Sequence, residues 1–517
     1  MSFANTVRSL AVALAALVAF ASPARAEWLR AETEHFVIVG DTSRGEISEY
    51  ARKVERFDAL LRMFLPPTND DVIPPKLWIF IADGREDMEA ISPTVGKGVA
   101  GFYSRTDDRI FAVVDRQSSM GDTTLFHEYG HHFMFQYHNK AYPGWFVEGF
   151  AEYFAPSEMG LSRVRYGLYR PGRINSLIQT NNWAPMEDVL RSRLSTTSVE
   201  RAAAYYAQAW VLTHYMLGDP DRLRRLSAYL AAVAGGEDPM DALEAHIGRT
   251  PEQLARELRS YLGRGITTYT LPEALPRAEV TVTPLSAGTG DSIWLDLRST
   301  RALGDDRDRL VAQAEAVAAR YPGDRMAAVA LAKILRRAED PVRAAAVLEP
   351  VVAADPEDAE ARWLLASVLM DQADDAADDA ARPSLMRSAA QHLSAAYEAD
   401  PLDFRVYMAL ARNRKGAANY PSDNDVVVLE SAYRLAPQLS STAYAAAKVL
   451  MTRERYLDAV SVLRPLANNP HGGQSLQPVR DLLAEASALA GLEPATAEAP
   501  PEPLPEPEGE APAPPAP

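Results

Sequence analysis

A short proline-containing turn recurs at a nearly constant spacing through the C-terminal half of the chain. The turns contain Pro322, Pro356, Pro401, Pro437 and Pro470, which are 34, 45, 36 and 33 residues apart. The segments between them are rich in Ala, Leu and Arg. Self-similarity at this period indicates supersecondary units that stack because no single unit can bury its own apolar face.

A 34-residue helix–turn–helix unit that closes on proline is typical of tetratricopeptide (TPR) repeats. We therefore predict an all-α TPR superhelix over residues 301–490, with an insertion around residues 374–384 that lengthens one interval. Stacked helix pairs of this kind form a concave groove, which predicts a protein partner bound in that groove. A plain helical bundle is the alternative, and the recurring period disfavours it.

The first 26 residues have the organisation of a secretory signal peptide. Arg8 supplies a positive charge, residues 10–21 are apolar, and Ala24-Arg25-Ala26 offers a small-x-small cleavage site. The apolar run is shorter than the ~20 residues that span a bilayer. We expect an exported protein without a stable membrane anchor after cleavage, periplasmic if the source is Gram-negative and otherwise secreted.

Composition narrows the possible partners. The 517 residues carry a net charge of -17, which disfavours nucleic acid as a partner. There is no cysteine, so neither a disulfide framework nor a lipid-modified cysteine is available. Residues 491–517 are almost entirely Pro, Glu and Ala, and this composition predicts a disordered tail.

Residues 27–270 show a mixed α/β pattern. Apolar runs predict strands over residues 35–39, 76–81, 99–103 and 109–114, and the third of these could form an edge strand. Helical spacing predicts helices over residues 44–64, 123–137 and 145–154, and a mainly helical stretch over 176–262. We expect residues 271–300 to form a short β-rich connector, with short strands over 279–298.

The helix predicted over residues 123–137 contains a His-Glu-x-x-His motif. His127 and His131 are four residues apart and therefore share one helix face. Two imidazoles placed in this way can bind one Zn²⁺, and Glu128 lies beside them as a proton acceptor. Gly130 costs about 1 kcal/mol relative to Ala inside a helix, which predicts a close approach by another backbone or a ligand.

A catalytic zinc site requires a third protein ligand, and Glu148 follows His131 by 17 residues in the segment Trp-Phe-Val-Glu-Gly-Phe-Ala. Together the two segments resemble the gluzincin zinc metallopeptidases of the peptidase-MA-like branch, over roughly residues 35–265. The resemblance implies an α+β zincin-like metallopeptidase domain, with a mixed sheet and active-site helices. It also implies Glu148 as the third ligand of Zn²⁺ and a peptide or protein substrate.

Three further residues are candidates for supporting roles. Glu152 lies four residues after Glu148 and could accept a hydrogen bond from a ligand histidine; it could equally be a solvated acid on the helix face. Related gluzincins use a Tyr or His after the third ligand to stabilise the oxyanion, which maps onto Tyr206 or His214. Either residue could instead belong to the helix core or surface. His132 has no role in the motif and is interpreted as structural.

Two functions follow from these features. The first is a zinc-dependent peptidase, with Glu128 as the general base and the TPR array recruiting substrate or a partner. The alternative is a non-catalytic TPR scaffold or adaptor with an inactive or structural metal domain. The complete set of His127, Glu128, His131 and Glu148 argues against a decayed site, since the loss of any one would be enough. An accidental motif in a repeat protein is a third interpretation, and it is disfavoured.

Overall fold

The computed structural model describes residues 27–68, 74–96, 98–138, 140–178, 182–191, 199–376, 380–469 and 476–492. The signal peptide expected at residues 1–26 and nearly all of the tail expected at 491–517 lie outside the described residues. Within the described ranges, no helix is both long enough and apolar enough to cross a membrane.

The N-terminal half is organised around a six-stranded mixed sheet. Its strands lie in the order β4-β5-β3-β2-β1-β9, where β2, β3 and β5 are parallel and the other pairings are antiparallel. The bounds are Glu27–Glu32 (β1), Phe36–Thr42 (β2), Leu77–Ala82 (β3), Gly101–Arg105 (β4), Ile110–Asp115 (β5) and Thr281–Pro284 (β9). Strands β2 to β5 occur where the apolar runs predicted them, and β4 is an edge strand.

Both faces of this sheet are covered, which explains why its central strands are continuous apolar runs rather than alternating patterns. Ile38 and Ile79 pack into the main core with the helix that carries the His-Glu-x-x-His motif. Val39 and Phe80 point to the opposite face and pack in a second core. Successive residues of a strand serve different layers because their side chains alternate.

The helices described in the N-terminal half either alternate with the strands of the sheet or come after β5 along the chain. Their bounds are Arg44–Phe64 (α1), Arg85–Ile91 (α2), Gly121–Tyr137 (α3), Gly144–Phe154 (α4), Pro171–Ile178 (α5), Met186–Leu190 (α6), Val199–Leu217 (α7), Pro220–Ala234 (α8), Pro239–Ala242 continuing as a π-helix over Leu243–Ile247 (α9), and Pro251–Gly263 (α10). A small sheet combines Glu158–Met159 (β6), Val164–Tyr166 (β7) and Tyr269–Thr270 (β8).

Residues 271–300 differ from the expected β-rich connector. Thr281–Pro284 does form a strand, which pairs with β1 at the far edge of the main sheet. Thr289–Arg298 is instead a helix, α11. Ile293 and Leu297 are four residues apart and buried with Phe80 against the sheet, so the helical spacing of these apolar residues outweighs their strand propensity. The strand prediction over 279–298 was therefore wrong for its second half.

The C-terminal half is a stack of antiparallel helix pairs that resembles a TPR superhelix. The helices are Arg307–Arg320 (α12), Arg325–Arg337 (α13), Pro341–Ala354 (α14), Ala359–Asp375 (α15), Arg382–Ala399 (α16), Phe404–Arg414 (α17), Asp423–Leu435 (α18), Ser440–Thr452 (α19), Tyr456–Ala467 (α20) and Gln477–Leu489 (α21). Helices α13, α15, α17 and α19 each begin a pair, and we call them the leading helices. Asp324, Asp358 and Asp403 cap three of them, which explains the Asp residues that follow the proline turns.

Candidate metal centre

Two histidines on α3 form one side of the site. His127 and His131 lie one turn apart on the buried face of the helix, where only 2% and 5% of their surfaces are exposed. Their Nε2 atoms are 3.1 Å apart. The sequence motif therefore places both imidazoles around a common point, as its spacing predicted.

Helix α4 brings a carboxylate to the same point. Glu148 is completely buried, and its Oε2 lies 3.5 Å from His131 Nε2 and 3.9 Å from His127 Nε2. One ligand atom from each of the three residues falls within 4.8 Å of the others. A buried carboxylate facing two imidazoles is a donor set suited to a divalent cation.

The distances within the cluster can be compared with the geometry of a zinc site. Ligand atoms in a tetrahedral site with metal–ligand bonds of about 2.0–2.2 Å are about 3.3–3.6 Å from one another. The observed separations of 3.1, 3.5 and 3.9 Å bracket this range. The three residues therefore fit Zn²⁺ after shifts of a few tenths of an ångström. Two histidines and one glutamate also form a ligand set known from catalytic zinc sites.

Two glycines allow the helices of the site to approach closely. A Cβ added to Gly130 on α3 would lie 3.1 Å from Cα of Ala151 on α4. A Cβ added to Gly149 on α4 would lie 2.5 Å from the carbonyl oxygen of Ala209 on α7. Ala151 thus provides the close backbone approach expected at Gly130. The Ala209 carbonyl leaves no room for a side chain at the position after Glu148, which explains the glycine there.

Glu128 lies between the two histidines in sequence and is half-buried. Burial, with a contribution from the Glu128 charge, raises the pKa of Tyr103 on edge strand β4. The Tyr103 hydroxyl is 2.8 Å from His132 Nδ1, and burial lowers the pKa of His132 to about 3. His132 is therefore neutral near pH 7 and holds Tyr103 beside the site, consistent with the structural role that we assigned to it.

Glu152 lies one turn after Glu148 and is buried. Its Oε1 is 3.5 Å from His127 Nδ1, the ring nitrogen that faces away from the cluster. Arg173 on α5 donates to the same carboxylate at 3.0 Å. Burial acts to raise the pKa of Glu152, but Arg173 and Arg170 outweigh it and hold the pKa at about 2. The side chain is therefore an anion behind His127, rather than a solvated acid.

The two candidate oxyanion donors have different surroundings. Burial and the nearby Glu148 charge raise the pKa of Tyr206 well above its usual value, and the Arg173 guanidinium lies 4.9 Å from the centre of its ring. Tyr206 therefore lies near Glu148 of the candidate metal centre in its protonated form.

His214 is engaged elsewhere. Its Nδ1 lies 2.7 Å from the Tyr261 hydroxyl, and its Nε2 lies 3.2 and 3.0 Å from the carbonyl oxygens of Gly167 and Thr267. Both ring nitrogens are thus used to join α7 to α10 and to the loops around β7 and β8. These contacts disfavour His214 as the oxyanion donor, and its oxyanion role stays a prediction.

Sequence reasoning missed two residues that shape the site. Arg173 follows Glu152 by 21 residues, without a motif that would connect them. Asp58 on α1 accepts a hydrogen bond of 2.6 Å from Tyr129, which lies between the two histidines on α3. Only the packing of α1 and α5 around α3 and α4 reveals these contacts.

Comparisons with known proteins give few functional clues. Residues 123–238 match a family described as a protein of unknown function (DUF1570), and this segment contains all the candidate site residues. No curated protein matches the chain. Among solved structures, a thermophilic TPR protein from Thermus thermophilus is 16% identical, with a TM-score of 0.31, covering 40% of this chain and 100% of that one. Yeast Tom70 is 12% identical, with a TM-score of 0.31, and the match covers 62% of this chain and 70% of that one.

Proposed function

We propose that the chain is an exported zinc-dependent peptidase with a zincin-like catalytic domain. The observation that carries the proposal is the convergence of His127, His131 and Glu148 on one buried point, with Glu128 on the same helix as the two histidines. Three ligands of this type leave a fourth position for water or substrate in a tetrahedral site. The TPR-like array supports a role in protein interaction, and a peptide or protein substrate agrees with it.

Each residue has a distinct role in the proposed reaction. Bound Zn²⁺ would act as a Lewis acid and lower the pKa of water to about 7. Glu128 would accept the proton of the attacking water and later deliver it to the leaving amine. Glu152 would keep His127 in the orientation and tautomer needed for metal binding.

Tyr206 is the donor that we assign to the oxyanion. Its raised pKa keeps the hydroxyl protonated across the physiological range, and a protonated phenol can donate a hydrogen bond to developing negative charge. Its position near Glu148 favours it over His214, whose nitrogens are both engaged outside the centre.

The experiment combines metal analysis with hydrolysis. The purified chain is expected to hold about one zinc per molecule and to cleave members of a broad peptide library. Glu128→Gln should retain zinc and lose about 10²–10⁴-fold in kcat/KM, the usual contribution of a general base. Glu158→Gln, an exposed glutamate paired with Arg165, is the matched control and should behave as the parent. A chain that binds no zinc, or a Glu128→Gln variant of unchanged activity, would refute the proposal.

A non-catalytic adaptor is the second candidate. The observation that favours it is the near-complete burial of His127, His131 and Glu148, which is also typical of structural metal sites. An adaptor would bind zinc, unfold more easily after chelation and hydrolyse no peptide in the library. Zinc-dependent hydrolysis that Glu128→Gln abolishes would exclude this candidate.

A further inference from the structure

The turn between β4 and β5 lies against the helical array. Residues 106–109 form this turn, and each of the four leading helices contacts it. Arg336 and Arg337 of α13 pair with the Asp108 carboxylate. Glu360 of α15 accepts from Arg109 at 2.8 Å.

The remaining two leading helices complete the contact. Arg405 of α17 donates to the carbonyl oxygen of Asp108 at 3.0 Å. Ser441 of α19 donates to the Asp107 carboxylate at 2.5 Å. The chain's own hairpin therefore occupies the face of the array that the leading helices form.

Arg109 is the centre of a buried ionic network. Besides Glu360, it donates to Asp296 of α11 at 2.7 Å. Lys333 of α13 bridges the same two acids, at 2.6 Å from Asp296 and 2.7 Å from Glu360. Burial acts to raise the pKa of Asp296, but Arg109 and Lys333 outweigh it and hold the pKa below its usual range. The hairpin thus supplies a cation to Asp296 of α11 and to Glu360 of the array.

A second contact extends from the hairpin towards the metal centre. Ile110, the first residue of β5, packs against a small apolar cluster of the array formed by Phe404, Leu435, Ala436 and Leu439. On α3, Gln136 donates to the carbonyl oxygen of Leu435 at 3.3 Å. The segment around Pro437 therefore contacts both the start of β5 and the helix that carries His127 and His131.

We propose that the face of the array formed by the leading helices is a binding site for the chain's own β4–β5 hairpin, which the array clamps in place. The face selects a turn with the sequence Asp-Asp-Arg. Arg336 and Arg337 contact Asp108 of this turn. The buried acids Asp296 and Glu360 contact its Arg109. An external protein reaches the leading helices only by displacing the hairpin, and displacement frees strand β4 beside the metal centre. The clamp itself does not depend on the proposed peptidase activity.

Engineered cysteines test the docking directly, since the chain has no cysteine of its own. In the full chain, Asp107→Cys with Ser441→Cys should form an intramolecular disulfide on mild oxidation, because the two side chains are already in contact. The control pair is Asp107→Cys with Val342→Cys, in which the second position is exposed on α14, a trailing helix, that is, the second helix of its pair. The control should not cross-link within one molecule.

Three outcomes would overturn the proposal. The first is that the test pair forms no disulfide although both thiols react with a maleimide. The second is cross-linking only in covalent dimers, which would mean that the array accepts the hairpin of a second copy. The third is equal cross-linking by the test and control pairs. None of these readouts requires zinc or hydrolysis, so a failure of the clamp is distinguishable from a failure of the proposed function.

Hydrogen–deuterium exchange provides a second test without cysteines. Arg337→Glu faces the Asp108 carboxylate with a like charge and should accelerate exchange of residues 101–115 by about tenfold or more. Adding Asp108→Lys restores an opposite-charge pair and should slow the exchange again. Arg343→Glu on trailing helix α14, which faces Glu315 away from the hairpin, controls for charge alone. Unchanged exchange in Arg337→Glu, or no recovery in the double variant, would contradict the clamp.

Discussion

The candidate metal centre and the hairpin–array interface are both buried clusters of ionisable side chains, but their compositions differ. In the interface, acids alternate with bases, as in the arrangement of Arg109, Asp296 and Lys333. In the centre, two imidazoles and a carboxylate direct lone pairs at one point. Burying charge is costly unless it is paired or coordinates a metal. A network that neutralises itself serves the fold, whereas a convergent donor set is suited to a cation.

The largest effect that separates the two clusters should come from His131→Ala. Loss of one of three ligands should lower zinc affinity at least about 100-fold, since even the partners behind the ligands are worth about 10–100-fold. The zinc content of the variant after dialysis measures this loss of affinity. The Asp107–Ser441 cysteine pair should still cross-link in this variant. Failure to cross-link would show that the clusters are not independent.

The converse experiment is Asp296→Ala in the interface. Removing one partner of a buried ionic network costs about 3–5 kcal/mol, because Arg109 and Lys333 would remain buried without their acid. Urea unfolding measures the loss, and zinc content should not change. Asp291→Ala on the same helix removes a more exposed acid paired with Arg320 and should cost less than about 1 kcal/mol. Equal effects of the two variants would contradict the assignment.

A smaller effect is expected where α4 meets α7. Gly149→Ala places a methyl group against the Ala209 carbonyl, and such overpacking costs about 1–3 kcal/mol. Thermal unfolding should show this loss of stability both in the zinc-bound and in the zinc-free protein. Zinc affinity should also fall, because the added methyl group shifts Glu148. Gly263→Ala, where no atom of the described residues lies within 4 Å of the added carbon, should be neutral or slightly stabilising. A neutral Gly149→Ala would mean that the helices can separate freely.

The smallest effect concerns acid sensitivity. The folded-state pKa values of Asp296 and Glu360 lie below their usual range, in each case because neighbouring cations outweigh the burial that acts to raise them. Their stabilising contribution is therefore complete above the unfolded pKa values of about 4 and is lost as the pH falls through the lower folded values. Exchange of residues 101–115 should stay slow from about pH 7 to 5 and increase below about pH 4. Fast exchange of these residues already at about pH 6 would refute the assignment of the acid sensitivity to Asp296 and Glu360.

Zinc should leave before the clamp opens as the pH falls. The ligand histidines must be neutral to bind the metal, whereas the described residues that contact the hairpin tip include no histidine. A titration that follows zinc content and exchange together should show two separate transitions. A single transition would indicate that the metal holds both regions together.

Much of the local architecture could be predicted. The strands β2 to β5 and the helices α1, α3 and α4 occur within about three residues of their predicted bounds, because the spacing of apolar residues identifies each of them without reference to distant residues. The helical array follows from its repeat for the same reason. Helix α11 was missed because its apolar residues occur in a short segment, where strand and helix patterns are hard to tell apart.

Distant contacts could not be read in this way. Arg109 and Glu360 are 251 residues apart, and no periodicity connects them. The sequence showed an array with a concave face and a hairpin with charged residues at its tip. It did not show that the array binds the hairpin, since each charge pattern is also compatible with a solvated surface.

The sequence by itself determined the spacing of His127, Glu128 and His131, because the 3.6-residue turn of a helix makes positions four apart neighbours. It also indicated Glu148 through its resemblance to a known pattern, and predicted Glu152 behind the ligands as one of two alternatives. Only the tertiary structure decided that Tyr206 lies near Glu148 while both ring nitrogens of His214 are engaged elsewhere, and that the array holds the chain's own hairpin. These outcomes depend on how helices cross and which surfaces meet, and such packing is set by the whole core rather than by any local segment.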